Sequence, residues 1–216
     1  MSVVNTEVGR RIHADLIMRF LSWLNQNTQD FVLKGGTSLM LCYNLGRFSE
    51  DIDLDAVNLH RNIIPYVTKF CSINKLIFRV AKDTNTTKRC MIHYASEDGK
   101  DATLKIEVSY RQQPNPDNIT SVKGIMVYKI DCLMLLKLSA FSSRDKVRDL
   151  YDILYIYKMY GNLLSPQSVY VLRNELSRKD MIYIEEMIKV QSDPLIDSSA
   201  LIDLYLNTCI SLGVIV

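Results

Sequence analysis

Apolar side chains recur at Val8, Ile12, Leu16, Phe20 and Leu24, with Arg10, Arg11 and Asp15 between them. A spacing of nearly four residues lays them along one helix face and predicts an amphipathic helix over 6–25. The short apolar run Phe31–Lys34 stops at Gly35-Gly36 and reads as a strand entering a tight turn. Thr37 is placed to cap a helix over 38–45 that Gly46 closes. Charged and apolar residues then alternate over 51–57, the period of a strand, and a helix over 60–72 is expected after it. Alternation returns over 77–82, 89–95 and 102–110, with Asn85 and the turn Glu97-Asp98-Gly99-Lys100 between the runs. That pattern predicts an antiparallel meander.

Pro114 and Pro116 mark a loop, and from Ile130 onward the period becomes helical. Helices are expected over 131–142, 146–160, 166–176, 180–191 and 198–211, with no long strand returning. The chain therefore reads as α+β: residues 1–130 form a mixed α+β domain, and residues 131–216 form a helical C-terminal lobe. The two lobes are expected to flank a cleft.

Composition narrows the classes. Of 216 residues, 48% are hydrophobic and 23% charged, which excludes wholesale disorder. Lys plus Arg number 26 against 24 acidic residues, so the net charge is +2 and a histone-like protein is excluded. Five cysteines without a C-x-x-C pair, and three scattered histidines, point away from a disulfide framework or a zinc site. The N-terminal stretch lacks the marks of a signal peptide, and the most apolar internal stretch, 130–141, is shorter than the ~20 residues of a membrane span. A soluble cytoplasmic protein, with no membrane partner, is the expectation.

Candidate chemistry concentrates in a few places. Gly35, Gly36, Thr37 and Ser38 open a helix whose first N–H groups suit a phosphate; a plain strand-to-helix turn is the alternative. Asp51 and Asp53 project from one face of a strand, and Asp55 shares it. Like charges so arranged call for a cation such as Mg²⁺, unless the strand is a solvated acidic edge. On the strand over 102–110, Lys105, Glu107 and Ser109 share the polar face, and Glu107 becomes a third carboxylate if this strand lies beside 51–55. Lys137 interrupts an almost wholly apolar helix and must snorkel or meet an anion, either a phosphate or an aspartate. Asp149 and Asp152 are neighbours on a helix surface, and Arg148 stands four residues from Asp152, the spacing of a simple pair.

Taken together, L-K-G-G-T-S-L (33–39), R-F-S-E-D-I-D-L (47–54), K-I-E-V (105–108), K-L-S-A (137–140) and R-D-K-V-R-D-L-Y-D (144–152) resemble the AbiEii/AbiGii-type nucleotidyltransferase-like toxins of abortive-infection and type IV toxin–antitoxin systems. The resemblance implies a polymerase-β-type nucleotidyltransferase fold, a mixed sheet followed by a helical lobe. It implies a nucleoside triphosphate as substrate, held by Gly35, Gly36, Thr37 and Ser38 together with Lys105, Lys137, Lys146, Asp149 and Asp152. It implies Mg²⁺ or Mn²⁺ on Asp51, Asp53 and Glu107, the last standing where the family carries aspartate, and catalysis by these three with Lys137.

The reaction implied is attack of an acceptor hydroxyl on the α-phosphorus, with pyrophosphate leaving. Some members of the family transfer nucleotides to tRNA 3′ ends, so tRNA or another RNA is the implied acceptor and a cognate antitoxin the implied protein partner. Arg144, Lys146, Arg148, Arg173, Arg178 and Lys179 offer a basic flank for RNA, and Tyr151, Tyr155, Tyr157 and Tyr160 offer stacking surface or core packing. A metal-dependent nuclease and a nucleotide-binding module without turnover are the alternatives.

Overall fold

A computed structural model describes residues 6–95, 101–191 and 193–214. Its elements are α1 (Glu7–Asn27), β1 (Phe31–Lys34), α2 (Gly35–Cys42), β2 (Ile52–Ala56), α3 (Ile64–Asn74), β3 (Ile77–Asp83), β4 (Thr87–Ala95), β5 (Asp101–Ser109), β6 (Ile119–Val122) and β7 (Ile125–Tyr128). Five helices follow: α4 (Ile130–Arg144), α5 (Val147–Tyr160), α6 (Pro166–Leu176), α7 (Met181–Val190) and α8 (Ser198–Leu212).

Contacts divide the chain into two compact units. One holds the chain up to Asn44 with Phe48–Tyr128; the other holds Leu45–Arg47 with Lys129 onward. The first carries a seven-stranded mixed sheet in the order β3-β4-β5-β2-β1-β7-β6. β3, β4 and β5 form the antiparallel meander, while β2 runs parallel to β5 and β1 parallel to β7. One face is apolar: Ile52 and Leu54 of β2, Leu104 and Ile106 of β5 and Ile92 of β4 are all buried. α1 and α3 meet through Phe20 and Phe70, whose rings stand edge to face at 5.2 Å. Each such buried side chain contributes roughly 1.5–3 kcal/mol of stability.

In the helical unit α4 packs on α5 and α6, and α8 packs on α5, α6 and α7. Leu133, Met134, Phe141, Leu150, Ile153 and Tyr205 are among its buried side chains. No helix among the described residues is long and apolar enough to cross a membrane. All five cysteines are free thiols, and Cys132 alone of them is not fully buried.

Three local expectations are corrected. α2 starts at Gly35 rather than after Thr37, because Gly35 at φ 75° turns strand directly into helix and leaves Thr37 in the first turn. It also ends at Cys42, where Tyr43 leaves helical geometry and Asn44 turns left-handed at φ 55°. α3 begins at Ile64 instead of 60, because Pro65 sits in its first turn, where a missing N–H costs nothing, and the Asn62 side chain accepts from the Ile64 N–H. The third correction is the β6–β7 hairpin, in a stretch expected to be loop. Lys123 and Gly124, at φ 52° and 78°, supply the two left-handed residues of a tight hairpin turn. The turn expected over 97–100 lies outside the described residues.

Candidate active site

Between β1 and α2 the chain reverses at Gly35, and this glycine is required twice over. Its positive φ disfavours any side chain, and a Cβ built there would stand 2.9 Å from Oδ2 of Asp53. The Asp53 carboxylate thus lies against the start of α2. No side chain caps the first N–H groups of that helix, and its N-cap residue is Lys34. Thr37 and Ser38 turn inward: Thr37 donates to the Asp51 carbonyl at 2.5 Å, and Ser38 donates to the Gly35 carbonyl at 2.7 Å. What Gly36, Thr37 and Ser38 offer a ligand is therefore their backbone N–H groups.

Strand pairing brings the carboxylates together. Asp53 is the register partner of Glu107 across the parallel β2–β5 ladder, so both project from the polar face of the sheet. Lys105 pairs with Asp51 in an ion pair. Arg89 of β4, opposite Glu107, donates to Oε2 of that carboxylate at 2.6 Å. Asp55 is drawn off separately by Lys34 at 2.5 Å and by the Tyr128 hydroxyl at 2.8 Å.

Desolvation holds the Asp53 carboxyl above its ordinary value, and the charges of Asp51 and Glu107 push the same way against Lys105 and Lys34. For Lys105, burial opposes the charged ammonium, but the hydrogen bond to Asp51 and the three nearby carboxylates outweigh it and raise the value. Asp53 and Glu107 on one sheet face, with Asp51 just before β2, offer carboxylate oxygens, the donor chemistry a hard divalent cation takes. Among the described residues no three His, Cys, Asp or Glu side chains are already gathered to hold a metal ion. Lys105 and Arg89 here neutralise two of the three carboxylates.

The helical unit carries its own charged cluster. Of the two anions open to Lys137, aspartate is the one present. Its Nζ lies 2.6 Å from Asp152 and 3.3 Å from Asp149, and the residue is only 8% exposed. Asp152 also accepts from Arg47 through Nε at 2.7 Å and a terminal nitrogen at 2.6 Å. Asp149 accepts from Arg144 at 2.7 Å. Burial alone would raise the Asp149 carboxyl, but Arg144 and Lys137 hold it below its ordinary value.

The spacing also allowed Arg148 to pair with Asp152; in the structure Arg148 pairs with Asp193. Asp152 is fully buried against Arg47 and Lys137. Lys146 caps α5 and lines, with Arg144, Arg148, Asp149, Gln191 and Asp193, a cavity of about 300 Å³. Most of the basic flank expected for RNA is likewise spent on carboxylates: Arg144 on Asp149, Arg148 on Asp193, Arg178 on Glu175 and Lys179 on Asp145. Tyr151, Tyr155, Tyr157 and Tyr160 are half-buried.

Two contributors escaped the sequence reading. Arg89 was legible only as a residue of alternating strand, and strand register is what brings it to Glu107. His13, on α1, is buried and lies 2.5 Å from the Tyr94 hydroxyl and 2.7 Å from the Glu50 carbonyl, one residue before Asp51. A carbonyl only accepts, so Nε2 donates to Glu50.

Comparison with solved structures finds the same fold in JHP933 from Helicobacter pylori, 26% identical, with a TM-score of 0.78 over 96% of this chain and 92% of that one. A second H. pylori structure, 27% identical, superposes equally, at 0.78 over 96% and 95%. MenT4, a nucleotidyltransferase toxin from Mycobacterium tuberculosis, is 16% identical and shares the fold at a TM-score of 0.58 over 99% and 88%. No curated protein matches. The family model described as nucleotidyl transferase AbiEii toxin, type IV toxin–antitoxin system, matches residues 19–204.

Proposed function

Given that the chain belongs to the AbiEii nucleotidyltransferase toxin family, we propose that it transfers a nucleoside monophosphate from a triphosphate to an RNA acceptor, with a cognate antitoxin as its protein partner. One observation carries the reading. Asp53 and Glu107 are register partners on one sheet face, and Asp53 stands against the uncapped start of α2, whose glycine leaves room for it.

In this reading the backbone N–H groups of Gly36, Thr37 and Ser38 orient the triphosphate, using the positive end of the helix. Lys105, freed from Asp51 when a cation takes that carboxylate, adds a charge beside the reacting phosphate, an electrostatic contribution. The acceptor hydroxyl oxygen bonds to the α-phosphorus, its proton passes to water, and the bond from the α-phosphorus to the pyrophosphate oxygen breaks. Asp51, Asp53 and Glu107 are the residues that would hold Mg²⁺ or Mn²⁺. Such an ion, when bound, neutralises triphosphate charge and lowers the pKa of the acceptor hydroxyl. Within the helical unit, Asp149 and Asp152 hold Lys137, and no phosphate contact is assigned to it or to Lys146.

The test is incubation of the protein with total RNA and each labelled triphosphate in turn, plus Mg²⁺. Label enters RNA with the wild type and not with Asp53→Ala, whose circular dichroism stays native. Full transfer by a natively folded Asp53→Ala protein refutes the role, and shortened RNA identifies a nuclease. A second reading, a triphosphate-binding module without turnover, is favoured by the occupation of Asp51 and Glu107 by Lys105 and Arg89. It predicts calorimetric triphosphate binding with no labelled product after long incubation.

A further inference from the structure

Strand register lays out more of the polar sheet face than the carboxylates alone. Glu107 pairs with Arg89, and Arg89 pairs with Lys82 across a bulge in β3. One residue pair along, Lys105 is opposite Met91, and Met91 is opposite Arg79. These form two ranks, Asp53–Glu107–Arg89–Lys82 and Lys105–Met91–Arg79, each starting at the carboxylate site and ending in a cation at the β3 edge. At about 4.8 Å per strand, Lys82 lies some 14 Å from Asp53 along the sheet.

The opposite face of β4 and β5 is sealed, with Cys90, Ile92, Leu104 and Ile106 buried. Arg79 and Lys82 are exposed, and among the described residues no carboxylate pairs with either. Lys88 does pair with Asp83, but both belong to the other face. β3 is an edge strand, so nothing in the sheet lies beyond it.

We infer that this face of β3–β5 is the path of the acceptor: a single-stranded polynucleotide whose terminal hydroxyl sits at Asp53 and whose preceding phosphates cross Lys82 and Arg79. The inference rests on the transferase reading for what happens at Asp53. Its own content is the sheet face the acceptor follows and the residues that hold it there. The order of charges is what selects this ligand. Carboxylates stand where a hydroxyl must lose its proton, and cations follow where a backbone carries successive negative charges. Met91, between Lys105 and Arg79, and His93, two residues further along β4, are half-buried on the same face and offer apolar and ring surface for bases.

The experiment uses the full chain and the double variant Arg79→Glu/Lys82→Glu, neither residue being part of the triphosphate site. Binding of a short, end-labelled single-stranded RNA is followed by fluorescence anisotropy across a salt series, and triphosphate binding is followed separately by calorimetry. The variant is expected to bind RNA about tenfold or more weakly at low salt, and the slope of log affinity against log salt should drop by about 1.4, two phosphate contacts on a single strand. Triphosphate binding should not change. An RNA affinity and salt slope equal to the wild type overturn the path. So does a poly-glutamate peptide that binds the wild type as well as RNA does and loses affinity equally in the variant, because the surface would then read charge alone. A wild type that binds RNA through these residues but transfers no label supports the path and counts against the transferase reading, so the two fail separately.

Discussion

Gly35→Ala perturbs the site through geometry the structure specifies. Its φ of 75° places an alanine in the left-handed region, at about 1–2 kcal/mol. For a chain of this length that corresponds to a Tm lower by about 2–8 °C. The added Cβ also meets Asp53 Oδ2 at 2.9 Å, where ordinary contact begins at 3.4 Å, so the carboxylate must retreat by about 0.5 Å. A misplacement of 1 Å at a reacting centre costs on the order of a hundredfold, so half of that costs about tenfold in transfer rate. Gly124→Ala separates the two effects. It sits at φ 78° with nothing within 4 Å of the new Cβ, so it carries the backbone strain without touching Asp53. The assay is labelled-nucleotide transfer at saturating triphosphate beside thermal unfolding of both variants. Gly35→Ala should lose rate and stability, Gly124→Ala stability alone. Equal transfer rates in the two variants would refute the claim that Gly35 is there to admit Asp53.

The buried cluster of the helical unit makes a ranked prediction. Asp152→Asn leaves Arg47 and Lys137 facing a neutral group and should destabilise by about 3–5 kcal/mol in urea unfolding. Lys137→Met should cost clearly less, because Asp149 keeps Arg144 and Asp152 keeps Arg47; the reverse order would contradict the pairing. Acid titration should separate two aspartates by sign. The raised carboxyl of Asp53 binds its proton more tightly in the folded chain, so its stabilising contribution is complete below 3.8 and declines as pH climbs through the raised value. Asp53→Asn should therefore be more stable than wild type at neutral pH, the gap closing toward pH 3.8. The lowered carboxyl of Asp149 acts oppositely, with stability present above 3.8 and lost as pH falls through its depressed value, so Asp149→Asn should be the weaker protein at neutral pH. Urea midpoints across pH read both, and shifts of the same sign would count against these electrostatics.

Element type was legible wherever the apolar period was long. The five C-terminal helices begin and end within two residues of the positions expected from periodicity, and the meander β3–β5 follows its alternation. What escaped was short or conformational: the four-residue strands β6 and β7, whose only local mark is Lys123-Gly124, and the start of α2, which depends on a single left-handed glycine. The residue types of the site were equally legible. Two aspartates at period two must share a strand face whatever the fold, and Glu107 must share one with Lys105.

The chain's own order thus determined which elements form, which faces are polar and which side chains are able to meet an ion or a phosphate. Tertiary structure decided which of them meet. Periodicity is a property of a few consecutive residues, whereas a strand's neighbour and register are chosen by the burial of the whole sheet. Only that choice sets Glu107 beside Asp53, brings Arg89 to Glu107 and joins Arg47 to Asp152, 105 residues away. It also answers the question Lys137 posed. A lysine in an apolar helix requires an anion, and in this fold two buried aspartates of the next helix provide it.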